Sequence, residues 1–221
     1  MAARLDVMTR IYLESGLKKV FACSFDWPGW CRSGRSEEQA IENLLRYAPR
    51  YAVVAARADL AFEPGGPDGP GDVEVAERLK GGATTDFGAP EKEPEADHAP
   101  VGADTAARDV ALMRAAWRLF DETVEISPEE LRKGPRGGGR DRTKMAGHVT
   151  EAERSYARQV GVRHPPYKSA ADRDALRDEL AAVLGRPWQG PWDHKWTPRY
   201  AVRRITWHVL DHLWEMEDRS T

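Results

Sequence analysis

Two histidines near the C-terminus, His208 and His212 in the run HVLDH, are the residues of this sequence best placed for chemistry. On an α-helix, residues four apart lie on one face about one turn apart. Two neutral imidazoles so placed can grip one divalent ion when a third ligand arrives from elsewhere. His148, which opens HVTEAERSYARQV on another predicted helix, is the candidate for that ligand. Three histidines leave a coordination position open to water or a thiol, the pattern of a catalytic rather than a structural metal. The competing interpretation is a set of packed, hydrogen-bonded imidazoles. The donors suit Zn, Ni, Fe and Cu alike; a divalent ion, zinc or nickel, is the expected cofactor.

Two carboxylates share this neighbourhood in sequence: Glu151, three residues after His148, and Glu215, three after His212. These are the candidate catalytic residues. Each could be a fourth ligand, an orienter of a ligating ring or a general base; the alternative is a solvated helix carboxylate. Tyr156 either lines the cavity or fills the core. His164 and His194 fall in predicted loops, and His98 in a predicted linker. Lys133, Arg136, Arg140, Arg142 and Lys144 surround a glycine-rich loop before the His148 helix. Amides and positive charge at a helix start can dock an anionic cosubstrate, although the simpler interpretation is a solvated basic loop. The loop lacks the spacing of a Walker motif.

The 221 residues carry a net charge of −3, so no general electrostatic pull toward nucleic acid is expected. No apolar run is long enough to span a membrane. The start, MAARLDVMTRIYLESG, lacks a continuous apolar signal-peptide core, and a cytoplasmic location is expected. Cys23 and Cys31 flank the turn at 26–29 and could face each other across a hairpin; in a reducing cytoplasm they are expected as free thiols. Six of the eight tryptophans lie from Trp117 onward, as anchors or pocket walls of the second half.

The elements that must position these residues change character along the chain. Residues 10–14, 19–26 and 30–34 read as strands, the second with one apolar face. Ser36-Glu37-Glu38-Gln39 has the form of a capping box and opens a helix. Pro49 should kink or interrupt that helix, or start another. Residues 62–103 are acidic and rich in Pro and Gly, as loops and linkers are; within them 73–79 alternates like a strand that completes the sheet. Beyond 104 the periodicity is helical: 104–126 with Val110, Met113, Trp117, Phe120 and Val124, then 141–160, a helix capped by Ser169, and a last helix from Thr197-Pro198. Ser127-Pro128-Glu129-Glu130 predicts a short extra helix. The fold class expected is α+β, with an α+β domain at 1–88, a linker at 89–103 and a helical bundle at 104–221.

The stretch from Trp117 to Gln159, with ISPEELRKGP and GHVTEAERSYARQ, and the final ITWHVLDHLWEMEDR resemble the DinB-like superfamily of four-helix-bundle metalloproteins. The resemblance covers roughly residues 104–221. It implies an up-down bundle and a divalent metal held by His148, His208 and His212. Some members of the superfamily are thiol-dependent S-transferases or isomerases, so the resemblance also implies a thiol-dependent activity with a small thiol as cosubstrate; the enzyme expected is a metal-dependent transferase or hydrolase. Leu213-Trp214-Glu215 stands where the superfamily commonly has a basic His-Arg-Gly ending. The N-terminal FACSFDWPGWCRSGRSEEQAIENL resembles a HicB-like domain, a small sheet packed on a helix. No basic DNA-binding tail accompanies it. A homodimer is expected, and neither a membrane nor nucleic acid is expected as partner. The alternative is a non-enzymatic binding or scaffold protein, with a HicB-like partner-binding domain and a vestigial metal site.

Overall fold

The structure, a computed structural model, describes residues 8–64, 73–133 and 139–220. The described residues combine a four-stranded mixed sheet with seven α-helices, and the fold is α+β. The chain divides into two compact units, Met1–Ala96 and Asp97–Thr221. Among the described residues no helix is long and apolar enough to cross a membrane.

The first unit runs β1 (Thr9–Ser15), β2 (Val20–Ser24), β3 (Cys31–Gly34), α1 (Glu37–Arg46), α2 (Ala48–Arg57), β4 (Val73–Lys80) and α3 (Ala83–Phe87). Sheet order is β3-β2-β1-β4. β1, β2 and β3 pair antiparallel, whereas β4 adds parallel to β1. A parallel neighbour needs a long crossover, and the chain through α1 and α2 supplies it. All five residues of β2 are buried, not only one face. The strand lies inside the sheet, and both α1 and α3 pack against it. The Ser36 hydroxyl accepts from the Gln39 amide, as its motif predicts, and Pro49 falls in the first turn of α2, a separate helix. Trp30 and Tyr51 are anchored as buried aromatics should be. The Trp30 indole donates to the Leu44 carbonyl at 2.9 Å and the Tyr51 hydroxyl to the Pro28 carbonyl at 2.7 Å.

Cys23 and Cys31 are direct cross-strand neighbours of β2 and β3 and form a disulfide, so the expectation of free thiols is corrected. The expectation weighed redox compartment and missed register, which brings the two sulfurs together.

The stretch 89–103, expected as a linker, is tied down in part by two carboxylates of the sheet. Glu14, fully buried, accepts from Thr85 Oγ1, from the Glu91 amide and from the Lys92 amide. Glu77 accepts from the amides of Glu95 and Ala96, at 2.9 Å each. The division into units accordingly falls at Ala96, inside that stretch.

The second unit contains α4 (Ala103–Ile126), α5 (Arg142–Ala157), α6 (Ala170–Leu184) and α7 (Pro198–Arg219). The stripe Val110, Met113, Trp117 and Phe120 of α4 is buried, and α7 packs on α4 and α5. α7 is buried nearly all round, which is the environment expected for a helix apolar on most faces. Its buried Arg203 is ion-paired with Asp97, itself fully buried. The short helix expected after Ser127 does not form. Glu129 instead reaches forward to the first turn of α5, taking hydrogen bonds from the Thr143 hydroxyl at 2.6 Å and the Thr143 amide at 3.3 Å. Those exposed amides at a helix start need an acceptor, and Asp141, at the N-cap position, makes no side-chain cap. Most of the glycine loop, 134–138 with Arg136, lies outside the described residues.

Candidate metal centre

The site is built by two packed helices. α7 carries His208 and His212 one turn apart, and both are buried. α5 packs on α7 and brings in His148 from the rim of its buried face. The three rings meet with centroids 4.7–5.0 Å apart. His148 Nε2 lies 3.2 Å from His208 Nε2, and one nitrogen from each ring falls within 4.8 Å of the others. Two nitrogens bound to one tetrahedral ion at 2.0–2.1 Å sit about 3.4 Å apart. The His148–His208 separation is of that size, and the three nitrogens together lie within 4.8 Å.

Hydrogen bonding and electrostatics also fit a ligand set. His212 Nδ1 is 3.0 Å from a Glu215 carboxylate oxygen. A carboxylate only accepts, so Nδ1 carries the proton and Nε2 keeps its lone pair for a ligand role. His208 Nδ1 is buried without a hydrogen-bond partner among the described residues. Burial, with Arg140 and His212 adding, lowers the His148 pKa to about 4, while Glu215 opposes that shift. Burial also pushes His208 well below its ordinary value, reinforced by His212 and Arg204. Both rings are therefore neutral near pH 7, the form that binds metal.

Glu215 is held on two sides. It accepts from His212, and its other oxygen takes the Arg219 guanidinium at 2.8 Å. The bond from His212, then that from Arg219, keep its carboxyl below the ordinary range. Arg219 is itself fixed by a 2.7 Å bond to the Arg132 carbonyl. Gly139 makes room for it: a Cβ there would meet Arg219 Cζ at 2.7 Å, and the Gly139 φ is +121°. Of the three roles open to Glu215 in the sequence, its contacts are those of a residue that orients His212.

Glu151 is not brought to the cluster. Its side chain is 54% exposed and pairs with Arg154. The buried stripe of α5 is Met145, Val149, Glu153 and Ala157, with His148 at its edge. A step of three residues from His148 turns away from that stripe. Tyr156, by contrast, stands edge-on to His208 with ring centroids 5.5 Å apart and packs on Trp196 at 5.2 Å. His164 bonds Glu179 at 2.7 Å, His194 packs on Trp192, and His98 is exposed. The basic loop has its own carboxylates: Lys133 pairs with Asp141 and Arg142 with Glu129. Sequence reasoning overlooked Arg219, four residues after Glu215, and Arg204, four before His208; helical spacing was the signal available for both.

Compared with known proteins, the chain matches no family model, no curated protein and no solved structure.

Proposed function

We propose that His148, His208 and His212 hold one divalent ion, zinc or nickel, and that the chain is a metal-dependent enzyme, a thiol-dependent S-transferase or a hydrolase. In this proposal the helical unit is a DinB-like up-down four-helix bundle and the sheet unit is HicB-like. The observation that carries it is the convergence of three imidazoles from two helices, with the Nε2 atoms of His148 and His208 at 3.2 Å. A bound divalent ion supplies Lewis acidity, lowering the pKa of a water or thiol beside it. The chain's own residues prepare that chemistry. Burial keeps His148 and His208 unprotonated, and Glu215 fixes the tautomer and orientation of His212. Tyr156 stands against His208 and is backed by Trp196, so an aromatic surface borders the site on that side. Glu151 has no part in this scheme. A small cytoplasmic thiol is the cosubstrate proposed, and the chain acts as a homodimer.

Elemental analysis of untagged protein tests the metal: one divalent ion per chain is expected, lost in His212→Ala with the helical content kept. Thiol-transfer and ester-hydrolysis assays on the loaded protein test the chemistry. Absence of metal at neutral pH would favour a binding or scaffold protein with a vestigial site. A bound metal without either activity would make the ion structural.

A further inference from the structure

The buried and half-buried arginines of the helical unit almost all have carboxylates. Arg177 is held by Glu153 and Asp121, Arg203 by Asp97, and Arg219 by Glu215. Arg204 breaks this pattern. It is half-buried, one of its Nη atoms is buried without a hydrogen-bond partner, and no carboxylate among the described residues pairs with it. A guanidinium held partly out of water without a counter-ion is unfavourable.

Its position relates it to the histidine cluster. Arg204 precedes His208 by four residues, so the two lie on one face of α7, about 5–6 Å apart at Cβ. The guanidinium stacks 5.1 Å from the centre of Tyr156, the ring that abuts His208, and 4.6 Å from that of Trp207. The guanidinium thus lies against two aromatic rings, and its N–H groups, one Nη of which is buried without a hydrogen-bond partner, are of the kind that pairs with an oxyanion. The charge of Arg204 is felt at His208, as is that of Arg140.

We propose that Arg204 binds an anionic group, a carboxylate or phosphoryl oxyanion, on the substrate handled at the three-histidine site. This rests on the metal-site proposal for the reacting centre, and it adds the substrate class. The substrate carries its anion about one helical turn from the reacting atom, with Tyr156 against the span between them.

The test uses the full chain loaded with Co(II), with metal uptake followed in its visible spectrum and anion binding read by titration calorimetry. Acetate and inorganic phosphate are titrated separately at constant ionic strength, and the tighter of the two identifies the oxyanion class. Arg204→Gln should weaken the anion response about tenfold or more, with cobalt stoichiometry unchanged, and Arg204→Lys should recover part of it. Equal anion affinity in wild type and Arg204→Gln overturns the proposal. A second measurement needs neither the variant nor the metal. Phenylglyoxal should modify Arg204 in the wild-type chain, and the anion should protect it. Failure to react, or reaction unaffected by anion, also overturns the proposal. Loss of cobalt uptake by the wild type, with Arg204 still protected, would remove the metal-site reading and leave the anion site standing.

Discussion

Glu215 shows how much of a metal centre resides in groups that do not touch the ion. Its carboxylate links the ligating ring of His212 to Arg219, and Arg219 is packed under Gly139. Glu215→Gln removes the charge that makes His212 a better donor and should weaken metal binding by about 10–100-fold in chelator competition, with the fold intact. Gly139→Ala should act in the same direction, because its methyl collides with Arg219; unchanged affinity in both would show that His212 needs no support. The histidines also set a pH dependence in the metal-free chain. An unfolded histidine titrates near 6.5, whereas His148 in the fold titrates at about 4. Between those values the unfolded state binds more protons, so His148 contributes a loss of stability as pH falls through that window. Thermal denaturation of chelator-treated wild type and His148→Gln should therefore show the variant falling less between pH 6.5 and 4; parallel slopes would contradict the burial of a neutral ring. The HxxxH pair was legible in sequence because helical spacing alone puts both rings on one face. Glu151 was misplaced because a three-residue step leaves open which side of His148 faces the core. Arg204 escaped notice because the absence of a partner is a tertiary fact.

At the scale of elements, α4, α5 and α6 are joined by a buried ionic network. Arg177 of α6 makes two bonds to Glu153 of α5, at 2.9 and 3.0 Å, and one to Asp121 of α4 at 2.7 Å. The Glu153 side chain is 1% exposed and that of Arg177 6%. Such a pair is costly to break from one side, since the remaining charge stays buried, yet replacing both partners by apolar groups can be nearly neutral. Arg177→Met should cost about 3–5 kcal/mol in denaturant unfolding, and Glu153→Met combined with Arg177→Met should recover most of that loss. If the double variant is no better than the single one, the network is not what couples these helices. The helices themselves were readable from the α4 stripe, the Ser169 cap and the proline opening α7. The sequence placed Glu129 at the start of a helix of its own, but it caps α5. Motif reasoning sees Glu130 three residues after Ser127 and infers a cap; it does not see that the loop returns the adjacent Glu129 to another helix.

For the molecule as a whole, the change from alternating to helical periodicity located the two units, while their boundary depended on contacts. Glu14 and Glu77 draw residues 91–96 onto the sheet unit, carboxylates whose backbone partners no local pattern announces. The helical unit begins at Asp97, and Asp97 immediately serves it by pairing with Arg203 in α7. All three histidines, Glu215, Arg219 and Arg204 belong to that unit, while the Cys23–Cys31 disulfide belongs to the other. The two chemistries should therefore be separable. Reducing the disulfide in the full chain should leave metal affinity unchanged, measured by chelator competition before and after reduction with a non-coordinating phosphine. A piece covering residues 97–221 should fold to a helical spectrum and bind metal as the full chain does. A piece begun at residue 104 should be less stable, because it discards Asp97 and strands the buried charge of Arg203, which is unfavourable without its partner. Equal stability of the two pieces would show that the pair does not hold the start of this unit in place.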